Sequence, residues 1–225
     1  MTGQAFQGIE LLPATMPARQ LFVLLHGVGA SAADLLPLAQ RIREAYPEAA
    51  LLLPDGTFPF DGGGSGRQWF SIRDVTEENR VARVAEALPR LHALVQQAQQ
   101  RCQVEQQATV LAGFSQGAIM ALEFSALHDG AVGRVLAFSG RYARLPEQAP
   151  RLTTLHLLHG EADRVIPVSH AYAALERLQS MAGDVTLDVA PAAGHEINAE
   201  LAGLAIHRLQ TCIPLRTLQQ AMKAL

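Results

Sequence analysis

The sequence has little of what marks a secreted or a membrane-spanning protein. It contains only two cysteines, Cys102 and Cys212, among 225 residues, which is too few for the disulfide framework of a small secreted domain. Its first residues, MTGQAFQGIE, lack the basic start and the apolar core of a signal peptide. No apolar run approaches the roughly 20 residues that a membrane-spanning helix needs. We therefore expect a cytoplasmic protein without a transmembrane segment.

Charged residues are few, and neither sign dominates. The chain has 18 Lys and Arg against 21 Asp and Glu, a formal net charge of −3 and no cluster of basic residues, so nucleic acid is not an expected partner. A hydrophobic content of 49% excludes a disordered chain. A chain of this length can bury one core without splitting. We therefore predict a single domain over residues 1–225.

Short apolar runs alternate with longer amphipathic stretches. The runs predict strands buried on both faces of a mainly parallel sheet, at 21–26, 50–54, 109–114, 134–139, 154–160 and 185–190. The amphipathic stretches predict helices, at 31–46, 76–101, 116–128, 168–181 and 195–210. This alternation indicates a doubly wound α/β sheet, in which functional loops follow the strands at one edge.

The pentapeptide GFSQG at 113–117 lies where the apolar run ATVLAGF meets the helical stretch QGAIMALEFSALH. A nucleophile elbow needs this junction, because a serine on a sharp turn between strand and helix holds its hydroxyl clear of the backbone. Side chains at Gly113 and Gly117 would collide where strand and helix approach most closely. The following helix directs free amides and a partial positive charge towards the serine. Ser115 is therefore the candidate nucleophile.

A catalytic serine needs a base to take its proton and an acid to orient that base. In hydrolases with a nucleophile elbow the chain order is Ser, acid, His, with each residue on a loop after a strand. The loop after 154–160 offers Asp163 or Glu161, and the loop after 185–190 offers His195. We assign Asp163, because it lies further into its loop, and His195 as the base.

The oxyanion of the reaction needs hydrogen-bond donors. One predicted donor is the backbone N–H of Gln116, the residue after the nucleophile. The other is the N–H of Val28, because Gly27 and Gly29 let the loop after the first predicted strand turn in close. His26 and His159 each precede a glycine at the end of a predicted strand, where a structural hydrogen bond is expected ahead of a role as a second base or a metal ligand.

The segment 55–75, DGTFPFDGGGSGRQWFSIRDV, is too rich in glycine for regular structure. Loops of this length inside compact domains are often functional. The GGGSG within it lacks the GK[ST] ending of a phosphate loop, so we interpret it as a flexible rim. Trp69 and Phe70 lie beside this rim, and they belong either to the core or to the wall of an acyl pocket.

With these residues identified, the chain resembles the phospholipase/carboxylesterase family of α/β-hydrolases, which includes bacterial carboxylesterases and acyl-protein thioesterases. The resemblance runs in family order through most of the chain, in LLHGVGASAADL (24–35), RQWFSI (67–72), GFSQGAIMAL (113–122), FSGRY (138–142), HGEADRVIPVSHA (159–171) and GHEINAEL (194–201). It implies an α/β-hydrolase fold without a separate cap domain. It also implies a serine esterase for short- to medium-chain esters, with Ser115, Asp163 and His195 as the triad and no metal or cofactor.

Two alternative functions stay open at this point. The same triad would serve a thioesterase acting on an acylated protein or on acyl-CoA, and a catalytically silent scaffold would bind a partner instead. The tail 211–225 extends past the usual last helix as a C-terminal extension helix, with an apolar stripe at Leu215, Leu218, Met222 and Leu225. This stripe would pack on its own domain, join a homodimer or cover the pocket as a lid.

Overall fold

The computed structural model describes residues 7–223 of the chain. Its strands are β1 (Gly8–Leu11), β2 (Leu21–Leu25), β3 (Ala50–Pro54), β4 (Phe58–Pro59), β5 (Arg67–Gln68), β6 (Thr109–Phe114), β7 (Arg134–Phe138), β8 (Thr154–Gly160) and β9 (Val185–Ala190). Its helices are α1 (Leu36–Ala45), α2 (Glu77–Cys102), α3 (Gln116–Leu127), α4 (Ser169–Ser180), α5 (Ala199–Thr211) and α6 (Leu215–Lys223), and a 3-10 turn at Ala32–Leu35 precedes α1.

Seven of the strands form one sheet in the order β1-β3-β2-β6-β7-β8-β9. Every neighbouring pair in it is parallel except β1 and β3, which confirms the mainly parallel α/β prediction. Within residues 7–223 the elements form no separate cap domain. The carboxyl ends of the parallel strands therefore share one edge of the sheet, where the loops carrying Ser115, Asp163 and His195 begin.

Alternate residues of the central strands face opposite layers of helices. In β2, Leu21 and Val23 pack into one core cluster together with residues of α2, α3 and α4. Phe22 and Leu24 pack into the other cluster with residues of α1 and α5. Burying one side chain of this size stabilises a fold by about 1.5–3 kcal/mol, so the continuous apolar runs of the sequence satisfy both layers at once.

Three parts of the fold differ from the sequence prediction. The edge strand β1 was not predicted, because its four residues are too few for a clear pattern. The segment 55–75, predicted to lack regular structure, contains the short antiparallel pair β4 and β5 around an exposed turn. The helix predicted at 195–210 begins at Ala199, because the Asn198 side chain caps it by accepting a hydrogen bond from the Leu201 N–H at 2.9 Å.

A buried polar row crosses the sheet near the amino ends of its strands. His156 of β8 is fully buried, and its Nε2 lies 3.1 Å from the Arg134 guanidinium of β7. Because that guanidinium can only donate, the proton of the neutral ring is on Nδ1, which lies 2.8 Å from Thr186 Oγ1 of β9. Burial and then the Arg134 charge lower the pKa of His156 to about 4.

The extension helix α6 packs against this same end of the sheet. The Leu215 N–H donates to Asp184 just before β9 (2.9 Å), and Arg216 donates to Thr154 at the start of β8 (3.0 Å). Because the triad loops follow the opposite ends of the strands, α6 does not lie over Ser115 as a lid. Leu218 and Met222 of the apolar stripe are exposed, and Leu225 lies outside the described residues.

Candidate active site

Ser115 lies on a strained turn between β6 and α3. Its backbone has φ +52° and ψ −113°, a region that costs a non-glycine residue about 1–3 kcal/mol. The turn is held by the Ser115 N–H, which donates to the Phe138 carbonyl oxygen at 3.0 Å, and by the Ser115 carbonyl, which accepts from Ile119 at 3.0 Å. This is the geometry of a nucleophile elbow.

The two glycines of the pentapeptide are sterically required. A Cβ added to Gly113 would lie 2.2 Å from the Gly117 carbonyl oxygen, and one added to Gly117 would lie 2.1 Å from the Leu25 carbonyl oxygen. Both distances are far inside van der Waals contact. The predicted collision between strand and helix is therefore confirmed, and it extends to the neighbouring strand β2.

The three candidate catalytic side chains form one hydrogen-bonded chain. His195 Nε2 lies 2.9 Å from Ser115 Oγ, so the neutral imidazole accepts the serine proton. His195 Nδ1 donates to Asp163 Oδ2 at 2.7 Å. Topology therefore brings together residues that are 32 and 80 positions apart in the chain. The arrangement can move a proton from the serine hydroxyl to a base whose tautomer is fixed by the carboxylate.

Asp163 is held in its orientation by its own loop. Its side chain is inaccessible to solvent, and its Oδ1 accepts from the N–H groups of Val165 (2.8 Å) and Ile166 (2.9 Å). Burial alone would raise the pKa of the Asp163 carboxyl, but the hydrogen bonds from His195, Ile166 and Val165 outweigh it and leave the pKa below its ordinary value. The alternative acid, Glu161, is exposed.

His159 supports the same loop through a hydrogen bond to the loop backbone. It is buried, its Nε2–H donates to the Ile166 carbonyl oxygen at 2.7 Å, and the same nitrogen lies 3.4 Å from Asp163 Oδ2. Burial lowers the pKa of His159, which favours the neutral ring at this position. The structural hydrogen bond expected from the sequence is present, and it fixes the carboxylate rather than the substrate.

The loop after β2 approaches Ser115 closely. A Cβ on Gly27 would lie 3.5 Å from the Ser115 Cβ, and Gly29 has a left-handed φ of +77° that lets the chain turn. The Gly29 N–H donates to the Arg67 carbonyl (2.8 Å) and the Ala30 N–H to the Gly27 carbonyl (3.3 Å). Within residues 7–223 neither the Val28 N–H nor the Gln116 N–H donates to another group of the protein. Both amides are therefore available to a bound oxyanion.

His26 fixes the peptide plane that carries the Val28 N–H. The Gly56 N–H donates to His26 Nε2 (2.8 Å), so the ring proton lies on Nδ1, which donates to the Gly27 carbonyl oxygen at 2.7 Å. That carbonyl and the Val28 N–H belong to one planar peptide unit. Burial lowers the pKa of His26, so the accepting Nε2 stays unprotonated.

Trp69 and Phe70 are buried in the core and hold the loops together. The Trp69 Nε1–H donates to the His26 carbonyl oxygen at 2.9 Å. The Gln116 side chain accepts from the Trp69 N–H and donates to the Phe70 carbonyl, both at 2.8 Å. A part in an acyl pocket stays a prediction for these two residues, because neither lines the cavity that opens beside His195.

A cavity of about 480 Å³ opens beside His195 and the loop after β2. Apolar side chains form most of its wall, among them Leu35, Leu38, Phe114, Ile197 and Ala202. The Phe114 ring packs against the His195 ring, with their centroids 4.9 Å apart. This cavity was not predicted from the sequence, because Leu35, Leu38 and Ala202 have the spacing of ordinary core residues on amphipathic helices.

In the described part of the chain, no group of three or more His, Cys, Asp or Glu side chains is arranged to hold a metal ion. Among the same residues, no helix combines the length and the apolar character needed to cross a bilayer.

Comparison with known proteins gives consistent matches. The model of the phospholipase/carboxylesterase family matches residues 8–213. Esterase YpfH of Escherichia coli (strain K12) is 42% identical over 206 residues, which cover 92% of this chain and 88% of that protein. Acyl-protein thioesterase 1 of Yarrowia lipolytica (strain CLIB 122 / E 150) is 26% identical over 174 residues, which cover 69% of this chain and 74% of that protein. The crystal structure of esterase PE8 superposes with a TM-score of 0.84 at 29% identity, covering 92% of this chain and 99% of that one.

Proposed function

This chain belongs to the phospholipase/carboxylesterase family, and we propose that it hydrolyses esters through an acyl-enzyme on Ser115. It is a carboxylic ester hydrolase. The observation that supports these residue roles is the His195 ring, which lies within hydrogen-bond distance of both Ser115 Oγ (2.9 Å) and Asp163 Oδ2 (2.7 Å). We propose Ser115 as the nucleophile, His195 as the general base and acid, and Asp163 as the residue that orients His195.

The first half of the reaction forms the acyl-enzyme. Ser115 Oγ attacks the ester carbonyl carbon while His195 Nε2 takes the hydroxyl proton. Asp163 accepts from Nδ1–H throughout, so the free electron pair of the neutral ring stays on the nitrogen that faces the serine. His195 then gives the proton to the oxygen of the departing alcohol, and the bond between that oxygen and the carbonyl carbon breaks.

The developing oxyanion is stabilised by the backbone N–H groups of Val28 and Gln116. Donors of this kind are effective because they are already oriented before charge develops, and losing one typically costs about 2.7–4 kcal/mol of transition-state stabilisation. His26 supports this assignment, since its hydrogen bond to the Gly27 carbonyl fixes the peptide unit of the Val28 N–H.

The second half returns the free enzyme. His195, now neutral again, takes a proton from a water molecule that attacks the acyl carbon. The second tetrahedral intermediate occupies the same oxyanion donors, and its collapse releases the carboxylic acid as Ser115 regains its proton.

The experiment that tests the nucleophile is intact mass after incubation with a fluorophosphonate. Wild type should gain one adduct, and Ser115→Ala should gain none and lose ester hydrolysis while its circular dichroism spectrum stays that of wild type. Ser125→Ala is a matched control, because Ser125 is a buried serine of α3 whose hydroxyl donates to the Leu122 carbonyl. An adduct that persists in Ser115→Ala would contradict the assignment.

A thioesterase activity is the second candidate, favoured by the similarity to acyl-protein thioesterase 1 of Yarrowia lipolytica. Oxygen and sulfur esters of the same acyl chain and a similar leaving group distinguish the two, compared by kcat/KM on wild type. An acylated protein as substrate, a preference for short- to medium-chain acyl groups, a homodimer and a cytoplasmic location stay predictions.

A further inference from the structure

We propose that the cavity beside His195 binds the alcohol part of the ester, and that this alcohol is uncharged and largely apolar. The inference rests on the proposed function, because it takes Ser115 as the nucleophile and His195 as the proton donor to the leaving group. It adds which part of the substrate occupies the cavity and what chemical character that part has.

The position of the cavity relative to the triad carries the first step. The tetrahedral carbon bound to Ser115 Oγ has three other substituents: the oxyanion, the acyl chain and the leaving oxygen. The oxyanion points to the backbone N–H groups of Val28 and Gln116. The leaving oxygen must lie next to His195 Nε2, because it receives its proton from that nitrogen. A group attached to the leaving oxygen therefore extends along the His195 side of the site.

The wall of the cavity continues from His195 itself. His195 and the three residues that follow it line the cavity, as do Ala199 and Ala202 of α5. Gly27 and Ala30 of the loop after β2 also line the cavity. The cavity therefore adjoins His195, the residue that protonates the departing alcohol in the proposed reaction.

The side chains that line the cavity select its ligand. Leu35, Leu38, Phe114, Ile197 and Ala202 provide a mainly apolar surface, and a cavity of about 480 Å³ lies within the usual size range of small-molecule sites. Binding in the cavity would transfer an alkyl or aryl group of the alcohol from water to this apolar surface, which is favourable.

The charged groups at the cavity disfavour an anionic leaving group. Two carboxylates, Asp34 and Glu196, and one guanidinium, Arg41, are among the lining residues. Arg41 already donates to the Ala199 carbonyl oxygen at 3.3 Å, and Asp34 accepts from the N–H and the hydroxyl of Ser31. The carboxylate excess opposes phosphorylated leaving groups such as coenzyme A.

The test uses two reciprocal series of esters. In the first, acetates of ethanol, butanol and hexanol vary the alcohol while the acyl group and the leaving-group pKa stay nearly constant. In the second, ethyl acetate, butyrate and hexanoate vary the acyl chain. The parameter is kcat/KM, which reports the steps up to alcohol release and is independent of deacylation. Wild type should gain up to about four-fold for each methylene of the alcohol that becomes buried.

Ala199→Phe is the variant that narrows the cavity, because Ala199 lines it, lies in the first turn of α5 and is exposed. We expect Ala199→Phe to lower kcat/KM at least ten-fold more for hexyl acetate than for ethyl acetate. Across the acyl series, the same variant should lower kcat/KM by nearly the same factor for every ester. Glu200→Phe is the matched control, since it adds the same ring at the next exposed position, which is outside the cavity lining.

Each other outcome is decisive. A chain-length-dependent loss in the acyl series instead would make the cavity an acyl site and overturn the proposal. Equal losses in Ala199→Phe and Glu200→Phe, or a wild type indifferent to alcohol length, would also overturn it while leaving the Ser115 esterase intact. Absence of any Ser115-dependent ester hydrolysis would reject the proposed function together with this inference.

Discussion

Lowering the pH from 6.5 to 4 should destabilise the fold by about 3 kcal/mol through His156 alone, because its pKa in the fold is about 4 against an ordinary 6.5. Between these values the unfolded chain binds a proton at His156 and the folded chain does not. The part of the folding stability that depends on a neutral His156 is therefore present above about pH 6.5 and is lost as the pH falls towards 4. The cause is visible in the packing: the ring is buried, and its unprotonated Nε2 faces the Arg134 guanidinium at 3.1 Å.

The matched variant is His156→Gln, whose amide can donate to Thr186 and accept from Arg134 but does not titrate. Urea unfolding should be measured for both proteins at half-unit intervals from pH 4 to 7. His26 and His159 also have lowered pKa values, so acid destabilises both proteins, and the difference between the two curves isolates His156. In the steep part of the range this difference should change by about 1.4 kcal/mol per pH unit. Parallel curves would refute the reasoning.

Three further outcomes are expected at the active site. Gln116→Met should lower the free energy of unfolding by about 2–4 kcal/mol, because the Trp69 N–H and the Phe70 carbonyl lose their hydrogen-bond partner. A decrease below about 1 kcal/mol, measured by urea unfolding, would contradict this. Gly117→Ala should prevent native packing, since its Cβ would lie 2.1 Å from the Leu25 carbonyl oxygen. If this variant unfolded at the same temperature as wild type, the elbow would be able to relax and the prediction would be wrong. Asp163→Asn should reduce kcat by about 10⁴-fold, because the amide favours the wrong His195 tautomer; ester turnover within ten-fold of wild type would argue against that role.

The sheet was predictable because its central strands lie between two layers of helices. Their apolar runs, such as 109–114 and 154–160, therefore have no polar face to obscure them, and their bounds were predicted correctly. The edge strand β1 has one partner and an alternating exposed pattern over four residues, too short to distinguish from a loop. The start of α5 depended on which polar residue caps it, and the choice of Asn198 depends on tertiary packing.

The order of the candidate triad along the chain followed from strand topology, and the contacts among Ser115, Asp163 and His195 agree with it. The supporting contacts of the site were less accessible to sequence reasoning. A structural role for His26 was expected, but its target, the Gly27 carbonyl, depends on a tautomer set by Gly56, 30 residues further on. The cavity walls were not predicted, because Leu35 and Leu38 have the same periodicity whether they contact other core residues or a ligand.

Helix α6 lies at the end of the sheet opposite the catalytic residues, so it can be modified without touching them. The helix contacts the start of β8 and the segment before β9, while the triad follows the far ends of the strands. Met222 is 75% exposed on this remote end. A Met222→Cys variant, made in a Cys212→Ser background because Cys212 is partly exposed, would allow coupling to a bead or an electrode with the catalytic edge turned towards the solution. An immobilised enzyme oriented in this way should retain more of its activity than one adsorbed on the same surface in random orientations.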